Sequence, residues 1–247
     1  MAELTEVTEY DQVAALFGEI WSTDIAASPV PAELMCALRL AGNYIAGAYD
    51  GTELIGASVG FFDSAGGLHS HIAGVRTGHQ GRGVGLALKL HQWDWAISRG
   101  LKAIHWTFDP LVRRNGYFNL VKLGARPVRY LPNFYGPMAE GDSDRFLVEW
   151  SLTEPLSPVS AVGPTRPLLT EGLDGEPLPR FTPGWDTSPA LSIRVPKDIE
   201  ALRRKHSDVA ARWRSALRDA VGLAVAGGYA FTGMTSDGSY VLTREAA

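Results

Sequence analysis

The run of residues 75–85 combines residue types and spacing that bind phosphate. It reads Val-Arg-Thr-Gly-His-Gln-Gly-Arg-Gly-Val-Gly, so four glycines lie within eight residues. Glycine has no Cβ, which lets the backbone turn tightly and approach a ligand closely. A short apolar strand pattern at 72–75 precedes the run, and a long helical pattern follows it. Because the N–H groups that open a helix carry partial positive charge and lack acceptors within the helix, this order predicts a phosphate cradle.

The spacing of these glycines does not fit two other common phosphate-binding loops. A Walker loop ends in Gly-Lys-Ser/Thr, whereas Gly85 is followed by Leu86. The dinucleotide fingerprint needs Gly-x-Gly-x-x-Gly and an acidic residue about twenty positions later. The interval in Gly81-x-Gly83-x-Gly85 is different. The glycine run is therefore expected to belong to a third class of phosphate-binding loop.

Histidine and aspartate residues near this run are candidates for proton transfer. His69 and His71 alternate onto one face of the strand before the run, and His105 lies on the next predicted strand with Asp109 at its end. Imidazole and carboxylate groups can both accept a proton. The glycine run resembles that of an enzyme family in which these two strands flank the active-site cleft, and this resemblance makes His71, His105 and Asp109 candidate bases. The competing interpretation is that strand histidines are structural residues. Their spacing matches no recognisable metal site, and we expect no metal.

Hydrophobic periodicity predicts the elements that must position these residues. Helices are predicted over 11–21, 31–40, 85–98 and 115–123, and strands over 43–49, 53–62, 68–75, 102–108 and 145–152. Asp50-Gly51 is a strong hairpin turn between the first two strands. The order of these elements predicts an α/β (α+β) domain over residues 1–152.

The remainder of the chain has a different composition. Residues 153–190 contain eight prolines and no sustained apolar period, which predicts an extended linker or arm. Residues 191–247 regain order as a strand, a helix of about 28 residues from 199 and a terminal hairpin. This C-terminal unit is too small to be comfortably independent, so we expect it to dock on the first domain or on a partner protomer. Its arginine clusters (203–205 and 212, 214, 218) are expected to be a solvated face. A homodimer that exchanges this unit is compatible with the long arm.

Charge and composition exclude several classes of protein. The net charge of −4 argues against a dedicated nucleic-acid binder. No run approaches 18 apolar residues, so no membrane span is expected. The acidic N-terminus lacks the basic and apolar parts of a signal peptide. The single Cys36 excludes an internal disulfide and a cysteine-built metal site. We expect a cytoplasmic protein.

The glycine run resembles the signature of the GNAT acyltransferases. That signature is Gln/Arg-x-x-Gly-x-Gly/Ala, and Gln80-x-x-Gly83-x-Gly85 fits it in full. Val75 lies five residues before Gln80, as in that family, although Thr77 replaces the usual proline. The order of the flanking elements over residues 1–152 is also similar. The resemblance implies the GNAT fold: a mixed, twisted sheet with splayed central strands flanked by helices, here followed by the C-terminal helix–hairpin unit.

The resemblance also implies which residues bind an acyl-CoA. Backbone N–H groups of the glycine run would hold the pyrophosphate, the preceding strand would expose its backbone to pantetheine, and the Val75 N–H would polarise the thioester carbonyl. Two asparagines of the following short helix would hydrogen-bond the cofactor. The implied cofactor-binding residues are Ala73, Gly74, Val75, Gln80, Gly81, Arg82, Gly83, Val84, Gly85, Asn115 and Asn119. For Arg82 the competing interpretation is a solvated surface charge.

The chain departs from the family at the general acid. Counting back from Gly124, Leu120 occupies the position where many members place a tyrosine that protonates the thiolate. Tyr117, Tyr130 and Tyr135 are substitute candidates. Tyr135 belongs to a loop of the kind that often lines the acceptor pocket in this family.

The implied function is an acyl-CoA-dependent N-acyltransferase, an enzyme that transfers acyl groups other than amino-acyl groups. The run around residues 107–111, 115–119 and 133–136 is similar to a bacterial branch that includes amino-acid N-succinyltransferase-like members. The expected donor is acetyl-CoA or succinyl-CoA, and the expected acceptor is the amine of a small molecule such as an amino acid. Its carboxylate would be held by Arg113, Arg114 or Arg76. The alternative is a GNAT-fold protein that senses acyl-CoA, or decarboxylates or transfers the acyl group to a thiol or carrier.

Overall fold

The computed structural model describes residues 1–21, 28–138, 141–153 and 163–244. The α-helices in these ranges are α1 (Val7–Trp21), α2 (Ala32–Leu40), α3 (Val84–Ser98), α4 (Arg113–Gly116), α5 (Ile199–Lys205) and α6 (Ser207–Ala226). The strands are β1 (Ala2–Glu3), β2 (Tyr44–Asp50), β3 (Glu53–Phe62), β4 (Leu68–Val75), β5 (Ala103–Phe108), β6 (Arg126–Leu131), β7 (Pro137–Met138), β8 (Gly141–Asp142), β9 (Arg145–Ser151), β10 (Arg166–Glu171), β11 (Pro177–Pro179), β12 (Ala190–Arg194), β13 (Tyr229–Met234) and β14 (Ser239–Arg244). Within the described ranges, no helix is both long and apolar enough to cross a bilayer.

The chain contacts divide the protein into two compact units. The first comprises Met1–Trp106 with Ser151–Thr153. The second comprises Thr107–Trp150 and the described residues from 163 to 244. Residues 107–150 therefore group with the C-terminal segment, and not with the residues that precede them. The domain boundary near residue 152 stays a prediction.

The first unit is a mixed sheet covered by helices. Its strands follow the order β1-β2-β3-β4-β5, and β4 with β5 is the parallel pair. Helices α1 and α2 pack with β2 and β3 through a cluster that includes Val13, Phe17, Met35 and Val59. Leu88 of α3 packs into a separate cluster. This arrangement confirms the predicted mixed α/β class.

Helix α1 begins four residues before the predicted start at residue 11 because a side chain caps it. The Glu9 carboxylate accepts hydrogen bonds from the backbone N–H groups of Thr5 (2.8 Å) and Glu6 (3.0 Å). These are the donors that a helix start leaves without acceptors.

The second unit contains a five-stranded sheet in the order β11-β10-β12-β14-β13. Helix α6 packs on this sheet with a buried face that includes Trp213, Leu217 and Val221. The Trp213 indole N–H donates to the Gly175 carbonyl at 2.8 Å. Strands β6 and β9 form an antiparallel pair in the same unit, and β7 with β8 forms a two-stranded hairpin.

Residues 166–179 correct the prediction of an extended arm over 153–190; residues 154–162 of that arm lie outside the described residues. Strands β10 and β11 bury Leu168 and Leu169. The prolines are tolerated because β11 is an edge strand and Pro167 lies at a register shift, where a ladder N–H is not required.

The predicted helix of about 28 residues is two helices. His206 has non-helical dihedral angles (φ −144°, ψ 63°) and separates α5 from α6. The polar run from Arg203 to Asp208 has no apolar stripe to bury, and the break lies there. The predicted terminal hairpin is confirmed as β13 and β14.

Candidate functional site

Strand β4 carries a β-bulge in its middle. Val59 of β3 pairs with Ile72, and Gly60 pairs with Ser70, so His71 is an extra residue on β4. A bulge bends the strand and redirects a side chain, and bulges are frequent beside active sites. His71 is exposed at this point.

Strand β4 separates from β5 beside this bulge. The parallel ladder consists of two pairs, Leu68 with Ile104 and His69 with His105. Past these pairs β4 continues to Val75 with β3 as its described neighbour. The edge of residues 70–75 that faces away from β3 is therefore available to hydrogen-bond an extended ligand. This is the splay that the resemblance predicted around Ala73, Gly74 and Val75.

The glycine turn between β4 and α3 has the conformation that its sequence predicts. Gly81 (φ 77°) and Gly83 (φ 87°) are left-handed, and a Cβ built on either would meet nothing within 4 Å. Helix α3 begins directly after Gly83. The N–H groups of its first turn have no acceptors within the helix. The turn thus presents backbone donors and the positive end of a helix to open space.

Side chains hold the base of this turn. The Gln80 amide donates to the Val75 carbonyl at 3.2 Å. Arg76 lies 3.0 Å from Glu53 and 3.5 Å from Glu19, and its backbone N–H donates to Ile55 at 2.8 Å. Arg76 is therefore engaged in fixing the turn, which disfavours it as a carboxylate-binding residue. Arg82 is exposed.

The histidines of β4 and β5 form a group on the sheet with an aspartate that the sequence did not single out. The Phe61 ring lies 5.0 Å from the His69 ring and 5.6 Å from the His71 ring. Neighbouring protein atoms remove part of the His71 ring from solvent although the residue is exposed, and this lowers its pKa. Burial together with the neighbouring His71 lowers the pKa of His69. The lowered pKa values favour the neutral imidazole, which is the form that accepts a proton.

His105 is oriented by Asp63. Its Nδ1 lies 2.7 Å from the Asp63 carboxylate, which also accepts from the N–H groups of Ala65 and Gly67 (both 2.9 Å). The Asp63 pKa is lowered: burial opposes ionisation, but the Gly67 N–H and His105 outweigh it. The hydrogen bonds of Asp63 to Ala65 and Gly67 could be predicted from the turn sequence. Its pairing with His105 could not, because the two residues are 42 positions apart in the chain. Among the described residues, no group of His, Cys, Asp and Glu is arranged to hold a metal ion.

Asp109 has the contacts of a structural carboxylate. It accepts hydrogen bonds from the guanidinium groups of Arg203 and Arg214, the latter at 3.1 Å. Burial would raise its pKa, yet the two arginines hold the pKa below its usual value. A carboxylate stabilised in its charged form is a weak base, so these contacts disfavour a catalytic role. They also correct the expectation that Arg203 and Arg214 are solvated.

The loop that carries Tyr135 is held by a second buried carboxylate, Asp144. Asp144 is fully buried and accepts from Tyr130 (2.6 Å), the Asn133 N–H (2.8 Å) and Arg218 (2.6 Å and 3.1 Å). Burial and the hydrogen bond to Asp144 raise the Tyr130 pKa, which disfavours it as a proton donor. Tyr135 is 51% exposed, and its hydroxyl lies 3.4 Å from the Thr107 hydroxyl. Of Tyr130 and Tyr135, Tyr135 is therefore the one whose phenol is accessible.

The second predicted cofactor-binding segment contains a π-helical turn. Residues Tyr117–Lys122 follow α4 as a π-helix, an irregularity that is frequent at functional sites. Asn115 lies partly exposed in α4, whereas Asn119 is 95% buried within the turn. Leu120 is also buried, so this position provides no phenol. Tyr117 is 36% exposed.

A buried lysine in α3 was not singled out from the sequence. Lys89 donates to the Ser70 hydroxyl at 2.8 Å and to the Gln92 side chain at 3.3 Å, and its ammonium lies 3.8 Å from the Trp106 ring centroid. It is 6% exposed, and burial lowers its pKa to about 7. In the sequence Lys89 occupies what looks like an ordinary polar position of the helix. Only the folded structure shows that the side of α3 that carries Lys89 is buried.

Comparisons with known proteins identify the fold. No family model matches the sequence, and no curated protein matches it. An aminoglycoside 6'-acetyltransferase type Ii matches in structure with a TM-score of 0.52 and 22% identity, over 62% of this chain and 97% of that chain. A protein from Salmonella typhimurium, solved with its cofactor acetyl-CoA, matches with a TM-score of 0.52 and 15% identity, over 62% and 94%.

An acetyltransferase of the GNAT family from Streptococcus pneumoniae matches with a TM-score of 0.51 and 14% identity, over 61% of this chain and 96% of that chain. Identities this low establish shared architecture and leave substrates undefined. Over this share of its length, the chain has the fold of the GNAT acetyltransferases.

Proposed function

We propose that the protein is an acyl-CoA-dependent N-acyltransferase that acts on the amine of a small molecule such as an amino acid. The observation that carries the proposal is the bulged strand β4, which leaves β5 after two pairs and runs into an open glycine turn at the start of α3. Support comes from structural neighbours whose names describe acetyltransferases, one of them with acetyl-CoA. The proposed donors are acetyl-CoA and succinyl-CoA.

The backbone holds the donor in this proposal. The N–H groups of residues 81–85 bind the pyrophosphate, with Gln80 and Arg82 beside it. The exposed edge of residues 73–75 hydrogen-bonds the pantetheine arm, and the Val75 N–H polarises the thioester carbonyl. The resemblance to the GNAT family adds Asn115 and Asn119 as proposed cofactor-binding residues. A preorganised backbone cradle needs no side-chain rearrangement when the donor binds.

The transfer itself is a proton-coupled substitution. The acceptor nitrogen attacks the thioester carbonyl carbon, the C–S bond breaks, the nitrogen loses a proton to a base and the sulfur of CoA takes one up. His71 is the proposed base because it is exposed at the bulge and its lowered pKa favours the neutral form. His105, oriented by Asp63, is the second candidate. Tyr135 is the proposed acid.

The leucine at position 120 favours an alternative function that needs no general acid at this position. Because this position lacks the phenol that many family members use to protonate the thiolate, the protein would bind acyl-CoA as a sensor, or decarboxylate or transfer the acyl group to a thiol. Such a protein needs the glycine turn but no base for an amine.

Calorimetric titration with CoA, acetyl-CoA and succinyl-CoA tests the binding step, and CoA release with a panel of amines and amino acids tests the reaction. We expect saturable binding and turnover that requires an amine. Binding without amine-dependent turnover would favour the alternative, and the absence of binding to every CoA species would reject both functions.

A further inference from the structure

The C-terminal end of α1 packs on the open part of strand β4. A Cβ added at Gly74 would lie 2.8 Å from the Ile20 side chain and 2.9 Å from the Trp21 ring. Glycine at this position therefore lets the end of the helix approach the strand closely. An ion pair of 3.5 Å between Glu19 and Arg76 also joins the last turn of α1 to the residue that follows β4. Packing and charge together hold the end of α1 against this strand.

Trp21, the last residue of α1, is fixed in place but not buried. Its ring packs edge to face on Phe17, with 5.3 Å between the ring centroids, and Phe17 is fully buried. Trp21 nevertheless keeps 42% of its surface exposed. Because an aromatic ring provides a large and rigid apolar surface, Trp21 can contact a ligand without first being ordered.

The Trp21 ring lies beside a backbone N–H that points to the open edge of β4. The Arg76 N–H donates to the Ile55 carbonyl of β3 at 2.8 Å. The carbonyl of Val75, the residue before Arg76, accepts instead from the Gln80 side chain at 3.2 Å. The N–H and C=O of one strand residue point to the same edge, and successive residues alternate between the two edges. The Val75 N–H therefore points away from β3.

Trp21 and His71 lie on the same face of β4. The His71 ring is near Phe61, which shares its face of β3 with Val59, and Val59 packs against α1. Trp21 reaches Gly74 from α1 as well. Three residues, or about 10 Å of strand, separate Gly74 from His71. The proposed base and the Trp21 ring therefore flank the same stretch of β4.

The distance between the Trp21 ring and the Val75 nitrogen limits the size of an acyl group. Two bonds connect that nitrogen to the Gly74 Cα, so it lies no more than about 7 Å from the nearest ring atom. An N–H···O bond to the thioester carbonyl takes about 2.9 Å of this space, and a carbon in contact with the ring needs about 3.5–4.0 Å. An acyl group that extends from the carbonyl toward Trp21 therefore meets the ring within about two carbons.

The charges at the end of α1 disfavour a further carboxylate at this position. A succinyl group that extended toward Trp21 would bring its terminal carboxylate to the apolar Trp21 and Ile20 side chains and toward Glu19. Arg76, the neighbouring cation, already pairs with Glu19 and, at 3.0 Å, with Glu53. Transfer of an ionised carboxylate to a position without a partner is unfavourable. An uncharged acyl group meets no such penalty.

We propose that Trp21 determines the specificity for the donor by limiting the transferred group to short, uncharged acyl chains such as acetyl. This inference rests on the proposed function and, at that site, selects acetyl-CoA over succinyl-CoA. It gives Trp21 contact with the acyl group and no part in proton transfer.

Shortening the Trp21 side chain tests the proposal. CoA release would be measured with acetyl-, succinyl- and hexanoyl-CoA and the amine that supports the fastest turnover of the native protein. A change of one methylene group in an apolar pocket typically alters kcat/KM by about 10- to 200-fold. We therefore expect the native protein to prefer acetyl-CoA to hexanoyl-CoA by at least about 100-fold, and Trp21→Ala to reduce this preference at least about 10-fold.

Leu40→Ala is the matched control, because Leu40 ends the neighbouring helix α2 and is 91% exposed. It should leave the donor preference within about 2-fold of the native value. Trp21→Leu is a second variant that keeps an apolar side chain on Phe17, in case Trp21→Ala does not fold. We expect it to reduce the preference by about 3-fold or more. A loss of activity that is the same for every donor, or a donor preference unchanged in both variants, would overturn the proposal.

Calorimetry separates this proposal from the proposed function. Affinities for acetyl-CoA and hexanoyl-CoA should show the same preference without an amine, so they test Trp21 even if no amine is acylated. A native protein that binds or transfers succinyl-CoA better than acetyl-CoA would reject the assignment of Trp21 alone and leave the acyltransferase in place. If no CoA species binds, the proposed function is rejected, and the role of Trp21 is rejected with it.

Discussion

Lys89 shows how strongly one residue can couple stability to pH. Its ammonium has hydroxyl, amide and indole neighbours but lies deep in the first unit, and burial lowers its pKa to about 7. In the unfolded chain the same group titrates near pH 10.4. Between these values the unfolded state holds a proton that the folded state has lost. Stability therefore rises with pH in this window, by up to about 1.4 kcal/mol per pH unit.

We expect Lys89→Met to be more stable than the native protein at pH 7 and to lose this pH dependence between about pH 7.5 and 9.5. Urea unfolding at several pH values measures both effects. Lys122→Met removes an exposed lysine and serves as the control. A native slope that survives in Lys89→Met would show that another group is responsible.

His71 is the residue on which the proposed chemistry depends. Partial removal of its ring from solvent lowers the His71 pKa, so the acid limb of the rate–pH profile should lie at lower pH than for an ordinary imidazole. We expect His71→Gln to lower kcat by roughly 10²- to 10⁴-fold with little effect on CoA affinity. Steady-state rates and calorimetry check the two parts, with exposed His206→Gln as the control. A comparable loss in His105→Gln, with His71→Gln unaffected, would move the base to the Asp63–His105 pair.

At the scale of elements, the two glycines that flank α3 allow the effect of backbone strain to be distinguished from an effect on ligand binding. Gly83 and Gly100 flank α3, both have positive φ (87° and 70°), and both lack atoms within 4 Å of an added Cβ. Alanine in a left-handed conformation costs roughly 1–2 kcal/mol. We expect both Gly83→Ala and Gly100→Ala to lower Tm. Only Gly83→Ala should also weaken the binding of acetyl-CoA, by about 10-fold. Equal calorimetric affinities in the two variants would contradict a role for this turn in binding.

The elements that could be predicted are those with a complete local signal. Helices α1 to α3 and strands β2 to β4 follow from apolar periodicity and turn residues. Strand β6 was missed because Pro127 interrupts its pattern, and β10 because the surrounding prolines suggested an extended chain. The bulge at His71 has no sequence signal of its own, since it arises from the register with β3.

At the scale of the whole molecule, buried ion pairs tie the C-terminal helices to residues 107–150. Arg203 and Arg214 reach Asp109, and Arg218 reaches Asp144. Phe146 lies between the rings of this segment and those of the terminal hairpin, 4.7 Å from Phe231. None of these pairings could be predicted, because their partners are separated by 74 to 105 residues. The apolar periodicity of α6 predicted a helix that carries arginines, but it gave no information about the Asp109 and Asp144 carboxylates that these arginines contact.

The Arg218–Asp144 pair should be a large contributor to stability. Removing one partner of a buried pair leaves an unpaired charge and typically costs about 3–5 kcal/mol. We expect a smaller loss, of about 1.5–2.5 kcal/mol, for Arg218→Met because the Arg218 side chain is 36% exposed and because Tyr130 and the Asn133 N–H still donate to Asp144. Urea unfolding measures the loss, and Arg212→Met should change stability by less than about 0.5 kcal/mol. Equal stability of the two variants would show that the pair is dispensable.

Strand β11 limits one route by which this protein could associate with itself. It is three residues long, has proline at both ends and forms one border of the five-stranded sheet. Proline has no N–H to offer an incoming strand, so this border resists aggregation by strand addition. A homodimer that extended this sheet through β11 is therefore disfavoured, and crosslinks between subunits are not expected at residues 177–179.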